Sequence, residues 1–268
     1  VFEEFNKGQD NDGWKSYFAM LEGLFPNHPY GQQTTIGKGE HLKNPSMIDI
    51  HNYFDKYYVP NNMAVVLVGD FEFEETINKV NNTFGKFERK EVVHPTLPKE
   101  EPITAPVIKE VFGPTAETLS LAFRADASGT KEEKLVTMCD MILANGTAGL
   151  IDLNLNRQQL VQNAGCSPTF VKEYGYHIFY GTPKEGQSLD EVKLLLLGEI
   201  EKLKKGEFDE WMMDAVVNDL KLNQTQRYEN NSALADMYVD AFVQDLDWKK
   251  KVEFLDELYK DNDRLKSY

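Results

Sequence analysis

Few side chains in this sequence are placed to do chemistry. The opening VFEEF sets two carboxylates, Glu3 and Glu4, between Phe2 and Phe5. A carboxylate on a helix can ligate a metal or carry a proton, but Glu is seldom fully buried, so on residue type alone both are solvated helix carboxylates. A self-contained zinc site needs several His, Cys or carboxylate ligands converging, usually with two of them one helical turn apart. The five histidines, His28, His41, His51, His94 and His177, include no pair at i, i+3 or i, i+4, so the spacing predicts that this chain builds no such site alone. No G-x-S-x-G elbow is present, neither cysteine has the sequence context of a nucleophile, and the single glycine of VLVGD fits a tight turn and not a phosphate loop. Cys139 in a helical pattern and Cys166 at a strand start read as buried free thiols, since two cysteines make no disulfide framework.

Composition narrows the rest. The 268 residues are 41% hydrophobic and 12% aromatic, enough for one large core or two ordinary ones. A net charge of −15 repels phosphate backbones and anionic lipid, which argues against nucleic-acid partners. The longest apolar runs, Met63 to Gly69 and Leu194 to Leu197, fall far short of the ~20 residues that span a bilayer.

The elements that must position these groups follow from periodicity. Residues 1–25 carry a helical rhythm of apolar side chains, broken near Gly8 to Gly13 and ended at Pro26. Asn44-Pro45-Ser46 introduces a helix with Ser46-x-x-Asp49 resembling a capping box. MAVVLVG, rich in β-branched residues, is predicted to be a buried strand, and a helix through Phe73, Ile77, Val80 and Phe84 follows it. Five prolines between Glu88 and Pro114 mark an extended linker. Beyond it the pattern predicts a strand over Glu117 to Ala125, a helix closed by Asn145-Gly146, and a second helix running to Gly165. Two strands then flank Tyr174-Gly175, and a helix capped by Ser188 and Glu191 precedes three helical stretches over 209–227, 231–244 and about 247–260. This is an α+β layout.

The stretches VFEEF, HPYG and YYVPNNMAVVLVGD together resemble the insulinase and pitrilysin family of zinc metallopeptidases, which carries an inverted His-x-x-Glu-His motif. The resemblance implies two α/β-sandwich-type domains of the processing-peptidase-like metallohydrolase fold, the first only partly present. It places the later part of a zinc-bearing domain at 1–88, a linker at 89–114 and a second, inactive peptidase domain at 115–268. The family's third zinc ligand closes a V-V-x-x-E segment, which implies Glu4 as that ligand; Glu3 takes the role if the register slips by one. The His-x-x-Glu-His helix and the catalytic glutamate are expected upstream of Val1, and the closing helix and strand of the second domain beyond Tyr268. The implied activity is that of one part of a zinc metalloendopeptidase that cleaves peptides or small unfolded proteins in a chamber closed by a second half or another subunit. The alternative is a non-catalytic scaffold subunit of the same family. Zinc is implied for the intact protein, with none expected to be retained by this chain. The family's substrate-gripping R-E-x-x-G-x-x-Y segment aligns its glycine with Gly165, but Val161 and Pro168 stand where its arginine and tyrosine would be, so no catalytic or substrate-binding residue is assigned here.

Overall fold

The computed structural model describes residues 1–253, which divide into two units, Val1–Thr115 and a second beginning at Ala116. The helical stretch expected at about 247–260 begins at Trp248, and its later part lies outside the described residues.

In the first unit the interrupted rhythm of the opening residues becomes two helices, α1 (Phe2–Gln9) and α2 (Asp12–Leu24). The Asn11 side chain accepts from the Trp14 amide at 3.0 Å and starts α2, satisfying one of the amides that a helix start leaves unpaired. A short turn of helix, α3 (Pro29–Gln32), follows within HPYG. A Cβ at Gly31 would run into the backbone carbonyls of Phe25 and Leu21, so only glycine allows this close approach. Phe25 and His28 are fully buried beneath that turn. The distant Glu100 fixes it: its carboxylate accepts from the amides of Asn27 at 2.7 Å and His28 at 2.6 Å, and from the Asn27 side chain at 3.2 Å. Thus the extended segment after residue 88 is tied to the first unit, with further anchors from Lys90 to Asn61, Lys109 to Glu22 and Thr115 to Asp12.

Helices α4 (Gly39–Lys43), α5 (Met47–Tyr57) and α6 (Phe73–Phe84) complete the unit, and Ser46 caps α5 as its spacing predicts, accepting from the Asp49 amide at 3.2 Å. MAVVLVG departs from expectation. It is extended but paired with no strand among the described residues, and Met63, Val65 and Leu67 are each about half exposed. β-Branched residues favour a pleated, half-buried surface, but a ladder also needs a hydrogen-bonding neighbour, and sequence pattern carries no information about one.

The second unit is built on three antiparallel strands, β1 (Leu119–Ala125), β2 (Asn163–Phe170) and β3 (Gly175–Thr182), in the order β1-β3-β2. Helices α7 (Lys131–Leu143) and α8 (Leu189–Lys204) pack on one face of this sheet, and α9 (Trp211–Glu229) and α10 (Asn231–Val243) follow. Met138 and Ile142 of α7, Val192 and Leu196 of α8, Val216 and Val217 of α9 and Phe179 of β3 share one buried core. The chain is therefore α+β, as its pattern of elements predicts.

The helix expected to run to Gly165 does not. It passes through a wide turn at Asp152–Asn156, leaves the helix with Gln159 at φ 53°, and enters β2 at Asn163, three residues before the predicted strand start. Two side-chain devices set this path. Asp152 accepts from the amides of Asn145, Gly146 and Gly149, at 2.9, 2.8 and 3.2 Å, gathering the NGTAG loop around one carboxylate. Asn156 pairs with both backbone groups of Ala164, at 2.8 and 2.9 Å, and so stands in for a neighbouring strand at the sheet edge. Gly165 lies inside β2 beneath the Tyr180 ring, where a Cβ would strike the phenol, and so it ends no helix.

Two predictions follow from this packing. Leu196→Ala should lower unfolding free energy by about 2–5 kcal/mol, whereas Phe54→Ala on the exposed face of α5 should change it by about 0.5 kcal/mol or less; urea titrations of both variants check the contrast. Glu191 completes a reciprocal capping box with Ser188, whose amide and hydroxyl hold the carboxyl below the usual carboxylate range. A depressed pKa contributes stability above the unfolded value, about 4.3, that is lost as pH falls through the folded value. Glu191→Gln should therefore be less stable than the wild type at neutral pH, with the difference shrinking as the pH is lowered towards 3.

Candidate metal-binding groups

Phe2 and Phe5 stack with ring centroids 6.4 Å apart and set the orientation of α1, with Lys43 of α4 over the Phe2 ring at 5.2 Å and Gly39 against Phe5. A helix turns about 100° per residue, so with Phe2 and Phe5 packed inward, Glu3 and Glu4 flank the opposite side symmetrically. Both are exposed. Both are thus available to a ligand, and their surroundings favour neither register. Among the described residues no His, Cys, Asp or Glu joins either of them in a group of three potential ligands. The described residues alone do not fit a zinc centre at Glu4.

Val161 and Pro168, at the arginine and tyrosine positions of the family segment, have structural employment. Val161 is 3% exposed in the core of the second unit, and Pro168 lies in β2 opposite His177. Neither can grip a peptide by charge or hydroxyl.

The structure does bring together three groups that sequence spacing leaves far apart. Asp140 of α7, Cys166 of β2 and His177 of β3 present a carboxylate, a thiol and an imidazole whose ligating atoms all lie within 4.8 Å of one another. His177 is 8% exposed, with its ring centroid 4.4 Å from that of Phe179, and its Nε2 stands 2.8 Å from Asp140 Oδ1. Cys166 Sγ donates to the Asp140 carbonyl at 3.7 Å. Burial, and after it the Asp140 carboxylate, pushes the Cys166 thiol far above its ordinary range and the neighbouring Cys139 up to about 11. Both cysteines are free, and both remain protonated at neutral pH. With its imidazole directed at Asp140 and its thiol protonated, the trio lacks the activated thiolate of a cysteine nucleophile. The sequence signal for this cluster is the hairpin: with Cys166 opposite Phe179, His177 is its diagonal neighbour on the same face. Helical spacing of histidines cannot detect a set that spans a helix and two strands.

Comparison with known proteins agrees with this architecture. Residues 47–220, more than half of the chain, match the family model of the peptidase M16 inactive domain. The zinc protease PqqE of Helicobacter pylori is 22% identical over 234 residues, which are 85% of this chain and 52% of that protein. This chain spans about half the length of that relative. The crystal structure of a peptidase M16 inactive domain from Pseudomonas fluorescens superposes with a TM-score of 0.77 at 15% identity, over 99% of this chain and 63% of that one. The first half of the periplasmic protease PqqL from Escherichia coli gives 0.70 at 12% identity, over 100% and 60%. At these identities the superpositions establish a shared fold. The match across 47–220 shows that the chain belongs to the peptidase M16 inactive-domain family.

Proposed function

We propose that this chain works as a non-catalytic portion of an M16 zinc metalloendopeptidase, forming part of the wall of a chamber that a second half or another subunit closes around peptides or small unfolded proteins. The observation that carries this reading is the match of residues 47–220 to the inactive domain, a stretch that includes Val161 and Pro168 and excludes Glu4. With Val161 spent on the core and Pro168 on the sheet, the grip on substrate comes from the opposing half. Within the chain, we place the division between a zinc-bearing domain and the inactive domain in the extended segment 89–114. Glu4 would contribute one ligand to the zinc of the assembled enzyme, from the outward side of α1. A single carboxylate is a weak zinc donor, and such centres draw their affinity from three protein groups held together.

Peptidase and peptide-binding assays on the chain alone test this reading, which expects no turnover and no saturable binding. Either activity in the isolated chain contradicts it. In a protein that also carries the His-x-x-Glu-His helix of the same half, Glu4→Gln should lower zinc affinity and activity by at least about 100-fold, while Glu3→Gln stays near wild type and circular dichroism is unchanged in both. The opposite ranking moves the ligand to Glu3, and loss in neither variant removes α1 from the zinc site.

A further inference from the structure

We propose that Asp140, Cys166 and His177 form a second zinc-binding site, located in the second unit and independent of Glu4. The donor set is the first reason. A thiolate, an imidazole and a carboxylate are the three ligand types that zinc takes from proteins, and the mixture of sulfur with nitrogen selects against magnesium and calcium. Zinc bonds of about 2.3 Å to sulfur and 2.0–2.2 Å to nitrogen and oxygen put tetrahedral ligands roughly 3.3–3.7 Å apart. Ligating atoms already within 4.8 Å of one another need to draw in by no more than about 1.5 Å, and the 2.8 Å pair of His177 Nε2 and Asp140 Oδ1 to open by about 0.5 Å, movements within reach of side-chain rotation.

Support for the donors is the second reason. His177 sits on the central strand, hydrogen-bonded on both sides to β1 and β2, and its ring is held against Phe179. Asp140 comes from α7, which packs on β2 and carries Met138 and Ile142 into the core. The Asp140 and His177 side chains keep 14% and 10% exposure, which leaves one edge of the cluster open to solvent for an ion to enter and for water to fill a fourth position.

The local field is the third. The carboxylates of Asp140 and Asp152 both act on the Cys166 position, so the field there is negative. Negative potential at a converging set of donors favours a divalent cation. Thiolate and carboxylate together cancel its two charges, and neutral imidazole completes the set. On loading, the Cys166 proton passes to solvent and the proton between His177 Nε2 and Asp140 moves to the other ring nitrogen or to solvent. Metal affinity then falls as the pH is lowered. A zinc ion held here would be retained by the chain, contrary to the expectation drawn from the family resemblance that a chain without the His-x-x-Glu-His helix retains none.

Cobalt titration of the reduced, metal-stripped chain decides the matter. One equivalent of Co2+ should produce a thiolate-to-cobalt charge-transfer band in the near ultraviolet, and Zn2+ should displace it. Cys166→Ser should abolish the band, His177→Gln and Asp140→Asn should weaken Co2+ binding at least about 10-fold, and Cys139→Ser and Glu4→Gln should leave the titration unchanged. Circular dichroism confirms that each variant is folded, and the wild-type spectrum is decisive by itself if one is not. Absence of the charge-transfer band from the wild-type protein, or its survival in folded Cys166→Ser, overturns the proposal. Loss of binding in Glu4→Gln with retention in Cys166→Ser overturns it equally and points to α1 instead.

Discussion

Burial of one face of β3 beneath α7 and α8 is the constraint on which the second unit depends. β3 is the middle of three strands, so its backbone is hydrogen-bonded on both sides and its side chains cannot slip by one residue without exchanging faces. Phe179 enters the core from this strand, and His177, two residues away on the same face, is carried under α7 with it. The register that builds the core thereby builds the Asp140, Cys166 and His177 cluster. A buried histidine beside a carboxylate is costly unless paired, and the 2.8 Å contact supplies that pairing.

The first unit is organised differently. Its tightest point is the HPYG turn, where Gly31 lets the backbone approach α2 and Glu100 reaches across from a distant part of the chain to satisfy two amides. A carboxylate that pairs the amide of the buried His28 is worth more than its own hydrogen bond, because that amide left unpaired would cost about 1–3 kcal/mol. Elsewhere the unit presents apolar side chains of α5, α6 and MAVVLVG to the surface. The same residues that make those elements amphipathic are uncovered among the described residues.

Much of the fold could be read from local signals. The capping residues Ser46 and Ser188, the Asn145-Gly146 helix stop and the hairpin about Tyr174-Gly175 act through neighbours in sequence, so their spacing is visible. The errors arise where a distant partner decides. Gly165 looks like a helix stop until Tyr180 is laid over it from the next strand, and MAVVLVG looks like a strand although strandedness depends on a neighbour. The cluster was hidden for the same reason. Nothing in the spacing of Asp140, Cys166 and His177 along the chain joins them, and only the pairing register brings the last two together beside α7.

Glu4 is an exposed carboxylate on a small helix with no converging partners among the described residues, whereas Asp140, Cys166 and His177 converge and are anchored in a core. If the proposed site exists, the intrinsic metal affinity of this chain lies in the converging set. X-ray absorption at the zinc edge of the chain loaded with one equivalent tests it most directly. The expected first shell has one sulfur scatterer at about 2.3 Å with nitrogen and oxygen at about 2.0–2.2 Å. A first shell of nitrogen and oxygen alone would contradict it.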